Sequence, residues 1–407
     1  MNIARIAQHL SQLSAIREPD TAGTTRRAFT PAFHAGRAWL AERMQAAGLQ
    51  VIVDAGGNLI GRLPGSDAAL PPIVLGSHTD TVMSGGMYDG ALGVLTALEV
   101  ATTLRERGHV LRHPLEVVDF LAEESTPLGS LIGSTAMMMG LPDEVLDRHI
   151  PDWGTLRDAM RAVGGDPTQL HRPLRHAADI AAYLEVHIEQ GPVLEAHDVA
   201  VAAVTGIVGI RRADIVCRGR ADHAGTATMD WRHDALVPVA ELITAAEQIA
   251  RAQPGCVATV GALQLLPNQS NVVPSTVRFS VEMRSMVWAE VEQMWRAMEQ
   301  VFTQACQRRQ VQHEIVFMHD SLPVQFHPDM VDVVADACAH HTGRQVRMPS
   351  GAGHDAGILG LSVPTGMLFV RTKDGRSHCP EEYAAPADIA VAAHAFLQAV
   401  QRLDQQL

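Results

Sequence analysis

Several features that would assign a protein class are missing from this sequence of 407 residues. No Cys-x-x-Cys pair occurs, and the five cysteines are scattered, so a disulfide framework is not indicated. No block of lysine and arginine accompanies the formal net charge of -13, which argues against nucleic-acid binding. No apolar run approaches the roughly 18 residues of a membrane span, and the N-terminus lacks the apolar core of a signal peptide. We therefore expect a cytoplasmic protein without nucleic-acid or membrane partners.

The sequence does contain alternating apolar strands and amphipathic helices. Hydrophobic residues make up 47% of the chain, which is enough for a sizeable core. In residues 1–207 and 328–407, strands and helices alternate as they do in a mostly parallel α/β sheet. We therefore predict that these two segments form one α/β domain with a mostly parallel sheet.

Residues 208–327 follow a different pattern. The predicted order of elements is β-α-β-β-α-β, which is typical of an α+β ferredoxin-like domain. We expect this segment to be a second domain inserted into the first, where it serves as a lid and a dimerisation domain. The free sheet edges and helix face of such a domain predict a homodimer.

Four predicted strands of the first domain end in side chains that can bind a metal ion. These are His78 with Asp80, Glu123 with Glu124, His187 with Glu189, and Ser377 with His378. Asp89 follows at the start of a predicted helix. Because sites in open α/β sheets lie outside the carboxyl ends of the strands, we expect these side chains to meet at one edge.

The chemistry of this set indicates which ions it suits. Imidazoles and carboxylates without cysteine favour zinc, manganese or cobalt. Two histidines and a carboxylate can hold one ion, while a carboxylate, a histidine and a shared aspartate can hold another. Two ions about 3.5–4 Å apart form a clamp that activates water for hydrolysis. Each motif alone also fits a solvated strand end or a surface turn, and their occurrence at four strand ends indicates the metal site.

The motifs resemble one family, in order, along nearly the whole chain. The matching segments are "GSHTDTVMSGGMYDGALGV", "AEES", "HIEQGPVLE", "HAGTATM", "NVVP", "GAGHDA" and "SHCPEE". They are similar to the amidase, hydantoinase/carbamoylase branch of the dinuclear zinc peptidase–deacylase superfamily. That branch includes N-carbamoyl-L-amino acid hydrolases, β-ureidopropionases and allantoate amidohydrolases.

The resemblance implies a role for each residue of the metal site. It assigns the ligands of two divalent ions as His78 and His187 on one, Glu124 and His378 on the other, and Asp89 between them. We favour zinc, with manganese or cobalt as alternatives. Asp80 would orient His78. Glu123 would be the general base that takes a proton from the metal-activated water.

The resemblance also implies substrate contacts. His223 of the inserted domain would stabilise the oxyanion, and in related dimers the equivalent side chain reaches the partner's active site. Arg284 would bind a substrate carboxylate, because its planar guanidinium offers two parallel donors. The remaining substrate-binding residues implied are Arg211, Asn271, Gln190 and His354.

The function implied is that of a metal-dependent amidohydrolase. It would cleave the linear C–N bond of an N-carbamoyl-L-amino acid or a related ureide, such as allantoate or ureidopropionate. An aminoacylase or dipeptidase with the same metal site is the alternative enzyme, although "HIEQGP" and "GAGHDA" argue against it. A further alternative is a non-catalytic protein whose hydrolase fold has lost its activity. The presence of all the metal ligands together with Glu123 disfavours it.

The chain departs from the family pattern at three positions. Thr228 stands where relatives usually carry proline, and Pro127 and Leu128 stand where many have an arginine–phenylalanine pair. The metal ligands are unaffected. The departures bear on which substrate is bound, because the loop that carries Pro127 and Leu128 lies close to the metal-site motif in the sequence.

Overall fold

The computed structural model describes residues 1–407, which form two compact units. The first unit consists of Met1–Thr205 together with Phe326–Leu407, and the second unit is Gly206–Gln325. None of the helices is both long and apolar enough to cross a membrane.

Twelve α-helices are present. In chain order they are α1 Ile3–Ala15, α2 Pro31–Ala46, α3 Ala91–Glu106, α4 Ile132–Met138, α5 Asp143–Leu146, α6 Leu156–Ala162, α7 Val193–Ala196, α8 Leu236–Arg251, α9 Trp288–Arg308, α10 Pro328–Thr342, α11 Asp355–Leu359 and α12 Pro386–Gln406. Local sequence explains how some of them begin and end. Thr30 caps α2 by accepting a hydrogen bond from the Phe33 amide, and Pro31 occupies the first helical position. Gly343 ends α10 in the left-handed conformation.

Fourteen strands form two sheets. They are β1 Gln50–Val53, β2 Leu59–Leu63, β3 Ile73–His78, β4 Leu115–Phe120, β5 Ala182–Ile188, β6 Val201–Ile207, β7 Gly209–Arg218, β8 Val257–Thr259, β9 Leu263–Leu266, β10 Thr276–Ser285, β11 Gln312–Ser321, β12 Val324–Gln325, β13 Arg347–Ser350 and β14 Thr365–Val370.

The centre of the larger sheet is parallel, as the sequence predicts. Strands run in the order β1-β2-β4-β3-β5-β14-β6-β12, and β4, β3, β5 and β14 are parallel neighbours. Antiparallel strands flank this centre on both sides. Every residue of the four central strands is buried, which explains their nearly continuous apolar sequences. Their carboxyl ends share one edge, and the predicted site residues follow those ends.

The second unit has an antiparallel sheet in the order β11-β7-β10-β8, with β9 also paired to β10. Alternate residues of the long strands enter an apolar core with α8 and α9, among them Ala213, Ile215, Val281 and Met283. Because side chains alternate along a strand, the residues between them face the other side of the sheet. Arg212, Glu282 and Arg284 lie on that open face.

Candidate active site

Asp89 lies between two groups of side chains at the carboxyl edge of the parallel strands. Its Oδ1 is 3.0 Å from Nε2 of His187 and 3.7 Å from Nε2 of His78. Its Oδ2 is 3.1 Å from Nε2 of His378, which is itself 3.5 Å from Oε1 of Glu124. The two oxygens of one carboxylate therefore face two different sets of potential ligands.

The backbone fixes the rings of the two buried histidines. Nδ1 of His78 lies 3.0 Å from the carbonyl oxygen of Asp80, and Nδ1 of His187 lies 2.8 Å from that of Ile188. A carbonyl oxygen only accepts, so each Nδ1 carries a proton, which leaves Nε2, on the side of Asp89, as the ring atom that can bind a metal ion. This is the tautomer that a metal ligand needs.

Gly90 allows this close approach. It has φ +62°, and a Cβ placed there would lie 2.4 Å from Nε2 of His78. Any side chain would displace the imidazole, so the "DGALG" turn requires glycine for both conformation and space.

Asp80 has two functions in this geometry. Its carbonyl holds His78, whereas its carboxylate Oδ1 is 3.6 Å from the same Nδ1. The carboxylate instead accepts hydrogen bonds from the backbone amides of Glu123, at 3.3 Å, and Glu124, at 3.1 Å. Asp80 therefore links the end of β3 to the end of β4 and fixes both segments that carry candidate catalytic groups.

Glu123 and Glu124 lie in a poorly solvated, acidic environment. Burial raises the pKa of Glu123 well above its usual range, and the charges of Asp355 and Glu124 add to that effect. Burial, with the charge of Asp89, raises the pKa of Glu124 to about 7. Oε2 of Glu123 lies 3.6 Å from Nε2 of His78. Positive charge bound at this site would relieve the cost of burying these carboxylates.

The donor set fits two metal ions. Two groups of ligand atoms each lie within 4.8 Å of one another, namely His78, Asp89 and His187, and Asp89, Glu124 and His378. They share Asp89, and they contain only imidazole nitrogens and carboxylate oxygens, the ligands of zinc and manganese. The two groups differ in exposure, since the side chains of His78 and His187 are 1% exposed and that of His378 is 50% exposed.

Gln190 and His354 border these groups. Nε2 of Gln190 donates to Oδ2 of Asp89 at 3.0 Å, while its buried Oε1 has no hydrogen-bond partner in the protein. The ring of His354 packs against that of His187, with centroids 4.3 Å apart. Burial and the neighbouring His187 hold the pKa of His354 well below its usual range.

One further residue, Glu382, supports Asp89, and the sequence analysis did not single it out. Oε1 of Glu382 accepts from the amides of Tyr88 and Asp89, and its Oε2 accepts from the Ser377 hydroxyl at 2.8 Å. The only signal in the sequence was the position of Glu382 inside "SHCPEE". Glu189, at the end of β5, instead accepts from the amides of Val193 and Leu194 at the start of α7.

In the second unit, Glu282 joins two arginines on the open face of the sheet. Nε of Arg284 donates to Oε1 of Glu282 at 2.8 Å, and Nε of Arg212 donates to Oε2 at 2.8 Å. Arg212 was not singled out from the sequence, because "GIRR" offers two adjacent arginines and the facing of the strand decides between them.

Arg211 lies on the other side of this sheet. Its register partner is Met283, a core residue, and its guanidinium packs against Trp288 and Trp295 of α9. Nε and Nη2 both donate to the carboxylate of Asp320, at 2.7 and 2.6 Å. The structure therefore does not bring Arg211 and Arg284 together, although the resemblance grouped them.

His223 and Asn271 are brought together. An isolated bridge pairs His223 with Val272, and the Ala224 amide donates to the carbonyl of Asn271 at 2.9 Å. Both residues are exposed. Nδ1 of His223 accepts a hydrogen bond from the Gly225 amide at 3.0 Å. The ring nitrogen that can donate a hydrogen bond to another group is therefore Nε2.

Comparison with known proteins identifies the family. The sequence model of Peptidase family M20/M25/M40 matches residues 74–402. The chain belongs to this family. An N-carbamoyl-L-amino-acid amidohydrolase of Paenarthrobacter aurescens is 37% identical over 98% of both chains. The allantoate amidohydrolase of Escherichia coli K12 is 31% identical over 95% of this chain and 94% of its own.

Solved M20/M25/M40-type structures match the whole fold. A hydantoinase/carbamoylase family amidase from Burkholderia ambifaria is 35% identical, with a TM-score of 0.88, over 99% of this chain and 98% of its own. A second amidase of that family, from Burkholderia multivorans, is 32% identical with a TM-score of 0.88 over the same shares. The predicted membership of the hydantoinase/carbamoylase branch is confirmed. The chain is a hydrolase of carbon–nitrogen bonds.

The three departures from the family pattern occupy different settings. Pro127 and Leu128 lie in the tight turn between Thr126 and Gly129. Pro127 is exposed, whereas Leu128 is buried and joins an apolar cluster that includes Ala122 and Ile132. Thr228 is exposed and precedes a single 3₁₀ turn. Leu128 therefore fills the core beneath the segment that carries Glu123 and Glu124.

Proposed function

We propose that this protein is a metal-dependent amidohydrolase that cleaves the linear C–N bond of an N-carbamoyl-L-amino acid or a related ureide. The observation that carries the proposal is the carboxylate of Asp89, whose two oxygens face two separate groups of ligand atoms. Similarity to N-carbamoyl-L-amino-acid and allantoate amidohydrolases over nearly the whole chain supports the substrate class.

Five residues would hold the ions, and His78 and His187 would bind one of them. Glu124 and His378 would bind the other, with Asp89 shared. Zinc is our first choice, and manganese or cobalt also suit the donors. When bound, such ions polarise a carbonyl and lower the pKa of water.

Residues around the proposed metal ligands would transfer protons and position the reacting groups. Glu123 is buried beside the ligands, and its raised pKa suits a group that takes a proton from the attacking water and returns it to the leaving nitrogen. Asp80 would hold the Glu123 amide and His78 in register. The unpartnered Oε1 of Gln190 can accept a hydrogen bond from a ureido N–H, and His354 would pack beside it.

Residues of the second unit would bind the substrate. Arg284 would bind the substrate carboxylate through two parallel donors. Asn271 and His223 would contact the substrate near the reacting carbonyl, with His223 donating to the developing oxyanion. The predicted lid role of this unit stays a prediction. The substrate role predicted for Arg211 is also untested, and its contacts with Asp320 disfavour it.

One experiment tests the reaction and the cofactor together. The purified protein is analysed for metal content and assayed on matched N-carbamoyl, N-acetyl and dipeptide derivatives of one L-amino acid, together with allantoate and ureidopropionate. We expect about two metal ions per chain and turnover of a ureide well above that of the acyl and dipeptide analogues. Preference for the N-acetyl or dipeptide substrate would instead support the aminoacylase or dipeptidase alternative.

We also propose a homodimer formed through the second unit. Its edge strand β11 is exposed along its length and presents Ile315, Val316, Phe317 and Met318. A long apolar edge strand is a template for pairing with another chain. Near His223, Trp231 is 72% exposed, which also favours a partner surface at this unit.

Light scattering tests the dimer, and mixed subunits test whether active sites are shared. Phe317→Lys, which places charge on the β11 edge, should shift the protein towards monomer, whereas Val110→Lys, at an exposed apolar residue of the first unit, should not. If His223 acts in the partner's site, mixing His223→Ala with Glu123→Gln subunits should restore part of the activity. A wild type that is monomeric and fully active would refute the dimer.

A further inference from the structure

Arg26 is the largest fully buried side chain of the protein, at 1% exposure. Burying a guanidinium is costly unless its donors are paired, so its contacts carry information about its role. It lies in the segment between α1 and α2, outside residues 74–402 that the family model matches. The proposed chemistry has assigned it no role.

The contacts of Arg26 surround Asp80 on both sides. Nε donates to the carbonyl of Thr79 at 2.9 Å. The Arg26 amide donates to Oγ1 of Thr81 at 2.8 Å, and the Thr81 amide donates back to the Arg26 carbonyl at 3.1 Å. The residues immediately before and after Asp80 are thus both held by one arginine.

The other end of the guanidinium reaches the end of α1. Nη1 donates to the carbonyls of Leu13 at 2.8 Å and Ile16 at 3.0 Å. These carbonyls belong to the last turn and the C-cap of the helix, where α-helical partners are lacking, although the Leu13 carbonyl also accepts from the Ile16 amide. Arg26 therefore ties the N-terminal helix to the turn that follows β3.

We propose that Arg26 is a positioning residue for the candidate metal site, acting through Asp80. By holding Thr79 and Thr81, it fixes the carbonyl of Asp80 that orients His78 and the carboxylate that holds the amides of Glu123 and Glu124. The inference rests on the proposed function, because it assigns those groups their part in metal binding and hydrolysis.

The choice of arginine follows from the spacing of the acceptors. Its planar guanidinium offers donors in several directions, so it can reach Thr79 and the end of α1 at once. A lysine ammonium is a single point with three donors and cannot span both. Burial lowers the pKa of Arg26 to about 10, and the nearby charges of Asp119 and Asp80 oppose that effect, so the group remains charged at neutral pH.

The first test is Arg26→Lys, which keeps the positive charge but removes the planar guanidinium and its spread of donors. Metal is stripped from the protein, and zinc or manganese binding is then measured by calorimetry. Changes to groups that orient metal ligands typically cost about 10–100-fold in metal affinity or activity, and we expect a loss in that range. Its matched control is Arg37→Lys, at a neighbouring buried arginine whose Nη2 donates to the carbonyl of Gly57 instead.

A second variant displaces Arg26 without changing it. Gly36 of α2 faces the arginine, and a Cβ placed there would lie 2.7 Å from its Cδ. Gly36→Ala should therefore reproduce the loss of metal affinity in a smaller degree. Gly61→Ala is the control, because its Cβ would meet Leu49 and Met44 at comparable distances, away from Asp80.

A third measurement does not depend on metal. In the metal-free protein, the amides of Glu123 and Glu124 are protected by the carboxylate of Asp80, so Arg26→Lys should speed their hydrogen exchange by about tenfold or more, and Arg37→Lys should not. If Arg26 only stabilised the fold, urea midpoints would fall while the exchange of these two amides and metal affinity changed no more than in the controls.

The outcomes separate this inference from the proposed function. Metal affinity within about twofold of wild type in folded Arg26→Lys, with unchanged exchange at Glu123 and Glu124, would overturn the positioning role and leave the proposed function standing. A wild type that binds no metal would overturn the proposed function, and the exchange measurement would still decide whether Arg26 positions Asp80. Faster exchange together with weaker metal binding supports the inference.

Discussion

The proposed site residues of the two units differ in how far their charged side chains are buried. In the first unit, His78, Asp80 and Asp89 are at most 5% exposed and are held by backbone groups or by one another. In the second unit, Arg284 and Glu282 are 27% and 23% exposed and pair on an open sheet face. These three residues of the first unit are therefore poorly solvated, whereas Arg284 and Glu282 of the second unit keep part of their hydration.

This difference in burial corresponds to two of the proposed roles, which are proton transfer at buried carboxylates and substrate binding at Arg284. Burial raises the pKa values of Glu123 and Glu124 above their usual ranges, which is common for carboxylates at active sites. A partly hydrated guanidinium such as that of Arg284 can exchange one carboxylate partner for another at modest cost. We therefore expect changes at the buried carboxylates of the first unit to remove chemistry and changes at Arg284 of the second unit to weaken substrate binding.

The largest effect should come from Asp89→Ala. One carboxylate faces both groups of ligands, so its loss should lower metal content at both positions and remove nearly all turnover. Metal analysis after gel filtration measures this directly. Retention of two ions per chain by the variant would contradict the shared role of Asp89.

Glu123→Gln should separate metal binding from catalysis. The side chain is not one of the five proposed ligands, so metal content should stay near that of wild type. Because general acid–base catalysis typically contributes about 10²–10⁴-fold, kcat should fall by that factor. Near-normal turnover in the metal-loaded variant would remove Glu123 from the mechanism.

A smaller effect is expected from Arg284→Ala in the second unit. A hydrogen bond to a charged group contributes about 1.5–3 kcal/mol, which corresponds to about 10–150-fold in kcat/KM for a carboxylate substrate. Arg284→Lys should restore only part of the lost kcat/KM, since an ammonium group lacks the two parallel donors of a guanidinium. The amide analogue of the substrate should show little further loss with Arg284→Ala; additive penalties would mean that the two groups do not meet.

The smallest effect on activity is expected from Arg211→Ala. Its guanidinium is committed to Asp320 and to two tryptophans, so its loss should lower the free energy of unfolding by about 1–3 kcal/mol. We expect kcat/KM to stay within about twofold of wild type. A fall as large as that of Arg284→Ala would instead restore Arg211 to the substrate site and break the division between the two faces of the sheet.

The sequence predicted the parallel sheet and the meeting of its strand ends because both depend on local patterns. Buried strands have continuous apolar sequences, and polar residues that follow them lie at the carboxyl edge. This reasoning brought His78, Glu124, His187 and His378 together across large separations in the chain. Asp89 was found from its position at the start of a helix.

Other features depend on geometry that no local pattern carries. A strand that is shifted by one residue presents the other face, so "GIRR" alone could not decide that Arg212, and not Arg211, shares a face with Arg284. The sequence assigned the orientation of His78 to Asp80, but the closer contact is with its carbonyl. Arg26 gave no signal, because its partners are backbone carbonyls, which every residue has.

The position of β14 has a consequence for biosynthesis. This strand, Thr365–Val370, is among the last elements in the chain, yet it lies between β5 and β6 in the sheet. During translation the edges of both strands must wait without their partner while the whole second unit is made. His378 follows β14 in the chain, so the ligand set is complete only after the whole second unit has been made. Nascent chains are thus exposed to edge-to-edge aggregation until β14 has been made, and chaperones that cover unpaired strands would matter most in that interval.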